Sequence, residues 1–104
     1  MAQKNKPRSF AGIPRVVLMH NDYHRLCGNA VKLLVDLCYQ YRGNNNGDLT
    51  TAYGALKKRG WKSRATVDRA KRELLASGLI TETRSGRFLN PGGQCALYAL
   101  SWVS

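Results

Sequence analysis

Apolar positions recur at steps of three and four between residues 29 and 42, then alternate with polar ones beyond residue 79. In "NAVKLLVDLCYQYRG", Ala30, Leu33, Leu34, Leu37, Cys38 and Tyr41 fall on one side of a helical wheel. That broad stripe predicts a helix over 29–42, buried along one face. Gly43 supplies its terminator and "NNNGD" a loop. Upstream, Val16, Val17 and Leu18 in "FAGIPRVVLM" read as a short strand or an extended packing segment, since Pro14 argues against a helix through this stretch. Asn21 and Asp22 are helix-start residues for a short helical piece in "DYHRLC", with Asn21 as its cap and His20 outside it.

The second half has a different rhythm. Asp48-Leu49-Thr50 fits a short bridging strand. Thr50 or Thr51 can cap a helix running from 51 to about Arg59, with Ala52, Tyr53 and Leu56 inward and Gly60 as its stop. Trp61 then reads as a core plug between helices rather than a stacking platform. Ser63 is a strong N-cap for a helix from Arg64 to Ser77, whose Val67, Ala70 and Leu74 form the buried stripe and whose stop is Gly78. Beyond it, Leu79, Thr81 and Thr83 alternate with Ile80, Glu82 and Arg84. Ala96, Tyr98, Leu100 and Trp102 alternate with Cys95, Leu97, Ala99, Ser101 and Val103, and Tyr98 and Trp102 should face the core. "SGRFLNPGGQ" between the two strands has the composition of a long hairpin tip. The sum is one α+β domain over 10–104, preceded by a disordered basic arm at 1–9.

Charge narrows the class of partner. The chain of 104 residues carries 17 Lys and Arg against 6 Asp and Glu, a formal net charge of +11. Such an excess favours anionic partners, nucleic acid or an acidic membrane surface. No apolar run approaches the ~18 residues that a membrane span needs, and no signal peptide precedes a small-residue cleavage site, so nucleic acid is preferred. Three cysteines at wide, irregular spacing (Cys27, Cys38, Cys95) fit reduced thiols packed as small core residues, which places the chain in the cytoplasm.

The positive charge is densest in "LKKRGWKSRATVDRAKREL", where two helices are joined by a short turn containing Gly60. Together with the element order, and with "S-x-x-T-V-x-R-A-x-x-E-L-x-x-x-G-L-I" running from Ser63 to Ile80, this stretch resembles the winged helix-turn-helix family of DNA-binding domains. Small bacterial, phage and plasmid regulators and replication-initiator domains carry such a helix running into a hairpin wing. The resemblance covers about three quarters of the chain and implies a three-helix core with a C-terminal β-hairpin wing. It further implies that the helix from Arg64 lies in the major groove, with the basic wing on a flanking backbone or minor groove.

The residues themselves agree with that docking. At 100° per residue, Ala65, Arg69, Arg72 and Ala76 lie opposite the buried stripe, flanked by Arg64 and Asp68. Arginine's planar fork matches the O6 and N7 edge of guanine, though either Arg69 or Arg72 can instead touch phosphate or pair with Asp68 or Glu73. Ser63 and the free amides at the helix start can hold a phosphate. Lys57, Lys58, Arg59 and Lys62 reach adjacent phosphates, and Arg84 and Arg87 bracket Ser85-Gly86 as a contact at the wing tip. The expected partner is therefore double-stranded DNA, and the expected role is a small transcriptional regulator of a bacterium or mobile element.

Other chemistries have less support. His20, His24 and Cys27 have helical spacing, with Cys38 as a fourth candidate, but no C-x-x-C pair accompanies them, so no metal is expected. Six scattered carboxylates and no Gly-rich phosphate loop after a strand leave no basis for an enzyme or a cofactor. A protein- or nucleoprotein-binding module is the alternative. The exposed or paired state of Arg69 and Arg72 discriminates the two. A homodimer has one candidate element, helix 29–42, which the core also needs.

Overall fold

The computed structural model describes residues 10–84 and 96–103. Within them the chain forms a compact α+β fold of five α-helices and a three-stranded antiparallel sheet. The expected arm 1–9, the hairpin tip with Arg87 and Ser85-Gly86, and Cys95 lie outside the described residues.

Two short helices open the fold, α1 (Arg15–Met19) and α2 (Asn21–His24). The first corrects the expected strand or extended segment at Val16–Leu18. Pro14 sits at the N-cap of α1 with φ −59°, so its ring lies ahead of the helix and displaces no hydrogen bond. Only Val17 of α1 enters the core. In α2 the cap is His20 rather than Asn21, its Nδ1 accepting the Asp22 N–H at 3.0 Å.

Helix α3 (Gly28–Gln40) is the central element, and its stripe of Ala30, Leu33, Leu34, Leu37 and Cys38 is buried as its period requires. Burial pushes the Cys38 thiol up to about 11, so it stays protonated and acts as packing. Cys27 is a correction. It precedes the first turn of α3, stands exposed, and donates its backbone N–H to Glu73 Oε2 at 2.7 Å. The helix also ends two residues before the expected limit. Asn45 Nδ2 donates to the Gln40 carbonyl while Asn45 Oδ1 accepts the Arg42 N–H, which turns Tyr41 extended ahead of Gly43.

The Gln40 side chain then pairs with both backbone groups of Thr50, as a further strand would. Thr50 belongs to β1 (Leu49–Thr50), which pairs with β3 (Leu97–Leu100), and β3 pairs with β2 (Ile80–Arg84), giving the order β1-β3-β2. Tyr98 and Leu100 face the core as their alternation requires, and Trp102 packs partly buried beside them. Asn46 accepts the Leu100 N–H and donates to the Leu100 and Val103 carbonyls, fixing the end of β3.

Helix α4 (Tyr53–Leu56) continues as a single 3-10 turn over Lys57–Arg59, and α5 (Arg64–Ser77) packs against α3. Thr50 Oγ1 accepts the Ala52 N–H, but the N-cap of α4 is Ala52, which has no side-chain acceptor to offer. Between the helices Gly60 takes φ 94°, a left-handed conformation that any other residue would hold under strain. The one core gathers Leu33, Leu34, Leu37, Leu49, Leu56, Trp61, Val67, Leu74, Ile80, Tyr98 and Leu100. Among the described residues no helix is long and apolar enough to cross a membrane.

Candidate functional site

The turn between α4 and α5 is held by one buried carboxylate. Asp36, 3 % exposed, lies in the apolar stripe of α3 beside Leu33 and Leu37. Its Oδ1 accepts the Arg59 Nε–H at 2.9 Å, and its Oδ2 accepts the Trp61 Nε1–H at 2.6 Å. Lys32 Nζ stands 3.6 Å from Oδ2 and donates to the Arg59 carbonyl at 2.8 Å. A carboxylate buried among leucines is tolerated only when charged and hydrogen-bonded partners surround it, and here two hydrogen bonds and the Lys32 ammonium do so. Trp61 is buried as a plug, with its indole N–H satisfied by Asp36. Tyr53 reinforces the same turn by donating its hydroxyl to the Trp61 carbonyl at 3.3 Å.

This network gives Arg59 an internal partner. Besides its bond to Asp36, its guanidinium lies 3.8 Å from the centroid of the Tyr39 ring. Its charge therefore already faces a buried carboxylate, while the residue itself stays exposed. The signal that could have found this was Asp36 itself, an acid among the leucines of a buried stripe, with Lys32 one turn before it.

Six other cations of the basic run stand exposed. Lys57, Lys58 and Lys62 are exposed and have no partner among the described residues. On α5, Arg64, Ala65, Asp68, Arg69, Arg72 and Ala76 are all exposed, opposite the buried Val67, Ala70 and Leu74. Arg64 is loosely placed over Tyr53, 6.0 Å from its ring centroid. Arg69 has no partner among the described residues, and Arg72 makes one long bond from Nε to the Asp68 carbonyl at 3.4 Å. The acids that could neutralise these arginines are turned away. The Asp68 carboxylate lies 3.8 Å from Lys71 Nζ, and Glu73 holds the Cys27 amide.

At the start of α5, Ser63 Oγ accepts the Thr66 N–H at 3.4 Å, a long cap that leaves the first-turn amides of Arg64 and Ala65 without acceptors among the described residues. Arg84 is exposed at the end of β2, opposite Leu97 and past an irregularity in the register. The arrangement is a helix face bearing exposed guanidinium groups, beside a turn studded with ammonium groups. Chemically it is suited to a polyanion with regularly spaced charges.

Among the described residues no three His, Cys, Asp or Glu side chains stand close enough to hold a metal ion. The His20 Nδ1 is engaged by the Asp22 amide. No protein-family model, no curated protein and no solved structure matches this chain.

Proposed function

We propose that the chain is a winged helix-turn-helix domain that binds double-stranded DNA, with α5 as the helix that enters the major groove. The order α3, β1, α4, turn, α5, β2, β3, with the sheet arranged β1-β3-β2, is compatible with that fold. The observation that carries the function is the state of Arg69 and Arg72. Both are exposed on the outer face of α5, and neither is paired with a carboxylate, because Asp68 and Glu73 have other partners. Small alanines at 65 and 76 leave that face narrow enough to approach base edges.

Lys57, Lys58, Lys62 and Arg64 contact phosphates on either side of the groove, and the amides at the start of α5 hold another. These four cations give about four phosphate contacts, so log K falls with log salt at a slope of about −4. The biological role that follows is a small transcriptional regulator, as in bacteria and their mobile elements.

Repeated selection from a randomised duplex pool, with wild type and with Arg69→Ala/Arg72→Ala, tests this directly. Enrichment of one motif by the wild type, lost in the double variant, is the expected result. Unselective, salt-sensitive binding would leave an architectural role. Absence of duplex binding at low salt would sink the reading.

A further inference from the structure

Large exposed apolar side chains are concentrated away from the basic face. Of the six among the described residues, four fall within residues 10–19: Phe10 (84 % exposed), Val16 (70 %), Met19 (68 %) and Leu18 (37 %). Val35 and Tyr39 on α3 are the others. At 100° per residue, Leu18, Met19 and Val16 share one arc of α1, and Arg15 falls between Leu18 and Met19 on that same arc. Val17 points the other way and anchors the helix to the core. Arg15 is exposed and has no partner among the described residues. The nearby acid in sequence, Asp22, already faces His20 Nδ1 at 3.3 Å.

We propose that α1 with Phe10 is a docking surface for an acidic segment of another protein. The partner's apolar side chains cover Val16, Leu18 and Met19, and one of its carboxylates pairs with Arg15. Charge selects this occupant. A second copy in a symmetric contact would bring Arg15 towards Arg15, between two chains of net charge +11. An anionic bilayer needs cations and apolar side chains on one face. Among the described residues the densest cations, residues 57–72, carry no exposed large apolar side chain, while the face of α1 offers a single arginine. Nucleic acid would meet Arg15 but leave Val16 and Met19 uncovered. An acidic–apolar polypeptide satisfies both features, and this assignment is independent of the DNA reading.

The test is selection of random peptides, displayed on phage, against the full chain and against Val16→Asp/Met19→Asp and Arg15→Glu. The replaced side chains lie outside the core, and unchanged melting temperatures establish that the variants fold. The wild type should enrich peptides combining Asp or Glu with Leu, Phe or Trp. A synthetic copy of the strongest should bind Val16→Asp/Met19→Asp at least about tenfold more weakly. Arg15→Glu should shift the selected composition towards Lys and Arg. The proposal is overturned by peptides without acidic bias, or by acidic peptides that ignore both α1 variants and are held merely by residues 57–72. It is equally overturned if Val16→Asp/Met19→Asp abolishes dimers in sedimentation, or binding to phosphatidylserine vesicles, since a copy of the chain or a bilayer would then be the occupant.

Discussion

Arg59 and Arg69 are the same residue type in one basic run, yet the fold uses them in opposite ways. Arg59 lies against a buried carboxylate and an aromatic ring, whereas Arg69 stands in solvent with its neighbouring acids engaged elsewhere. The difference lies in where the counter-charge sits. Asp36 is fixed inside the core and draws Arg59, Lys32 and the Trp61 indole onto itself, which sets the turn ahead of α5. Asp68 and Glu73 lie on α5 beside the outer arginines but turn to Lys71 and to the Cys27 amide. Charge density along the sequence therefore overstates the number of cations available to a partner. An arginine with an internal anion builds the scaffold, and one without it is left facing solvent.

The largest effect should come from breaking the inner half of this contrast. Asp36→Ala leaves the buried Trp61 N–H without an acceptor and Arg59 without its anion. Removing one partner of a fully buried ion pair costs about 3–5 kcal/mol. The side chains of Arg59 and Lys32 are 35 % and 42 % exposed and can turn to water, so no buried charge is stranded and the loss should be that of the unsatisfied Trp61 N–H, about 1–3 kcal/mol. Urea unfolding followed by tryptophan fluorescence measures it. A loss below about 1 kcal/mol would mean that the network contributes no more than an ordinary hydrogen bond.

The outer half should behave in reverse. Arg69→Ala and Arg72→Ala should leave stability within about 0.5 kcal/mol, as exposed substitutions usually do. Each should weaken binding to the selected duplex by about 1–3 kcal/mol and relax the choice of base at one position. Titration against the selected duplex and its single-base variants checks both statements. Uniform weakening across all sequences would reassign these arginines to phosphates.

A finer separation concerns two neighbours in the 3-10 turn, Lys57 and Arg59. Lys57→Ala should reduce the salt slope of duplex binding by about 1 and weaken all sequences alike. Arg59→Ala should leave that slope unchanged while lowering the melting temperature, because its charge already faces Asp36. Equal slopes for the two variants would erase the distinction between scaffold and surface cations.

How much of this could be read beforehand follows the range of the interactions involved. Helix α5 was legible to the residue, since Ser63 and Gly78 are strong local signals and its apolar period is unbroken. The outward face of Arg69 and Arg72 followed from the same geometry. The role of Arg59 was not legible because its partner lies 23 residues earlier, on another helix. The early end of α3 depends on the Asn45 side chain bonding back to Gln40, a choice that a composition rule for loops leaves open. At α1, a proline within a run of apolar residues is compatible with a helix that starts just after it, and Pro14 stands at that N-cap.

Ser63 joins the two halves of the contrast, because it caps α5 and sits at the proposed phosphate site. Its bond to the Thr66 amide is long, at 3.4 Å, so Ser63→Ala should cost only about 0.5–1 kcal/mol of stability. That variant alone cannot separate cap from contact, since both are weakened together. Ser63→Asp does separate them. A carboxylate is as good a cap as the hydroxyl and is favoured by the positive end of the helix, so stability should hold or rise by a few tenths of a kcal/mol, about 0.3. The same carboxylate would face a phosphate, so duplex affinity should fall, and fall most at low salt where the repulsion is least screened. If Ser63→Asp instead binds duplex as tightly as the wild type, no phosphate reaches the start of α5, and the groove-entry geometry proposed for this helix has to be redrawn.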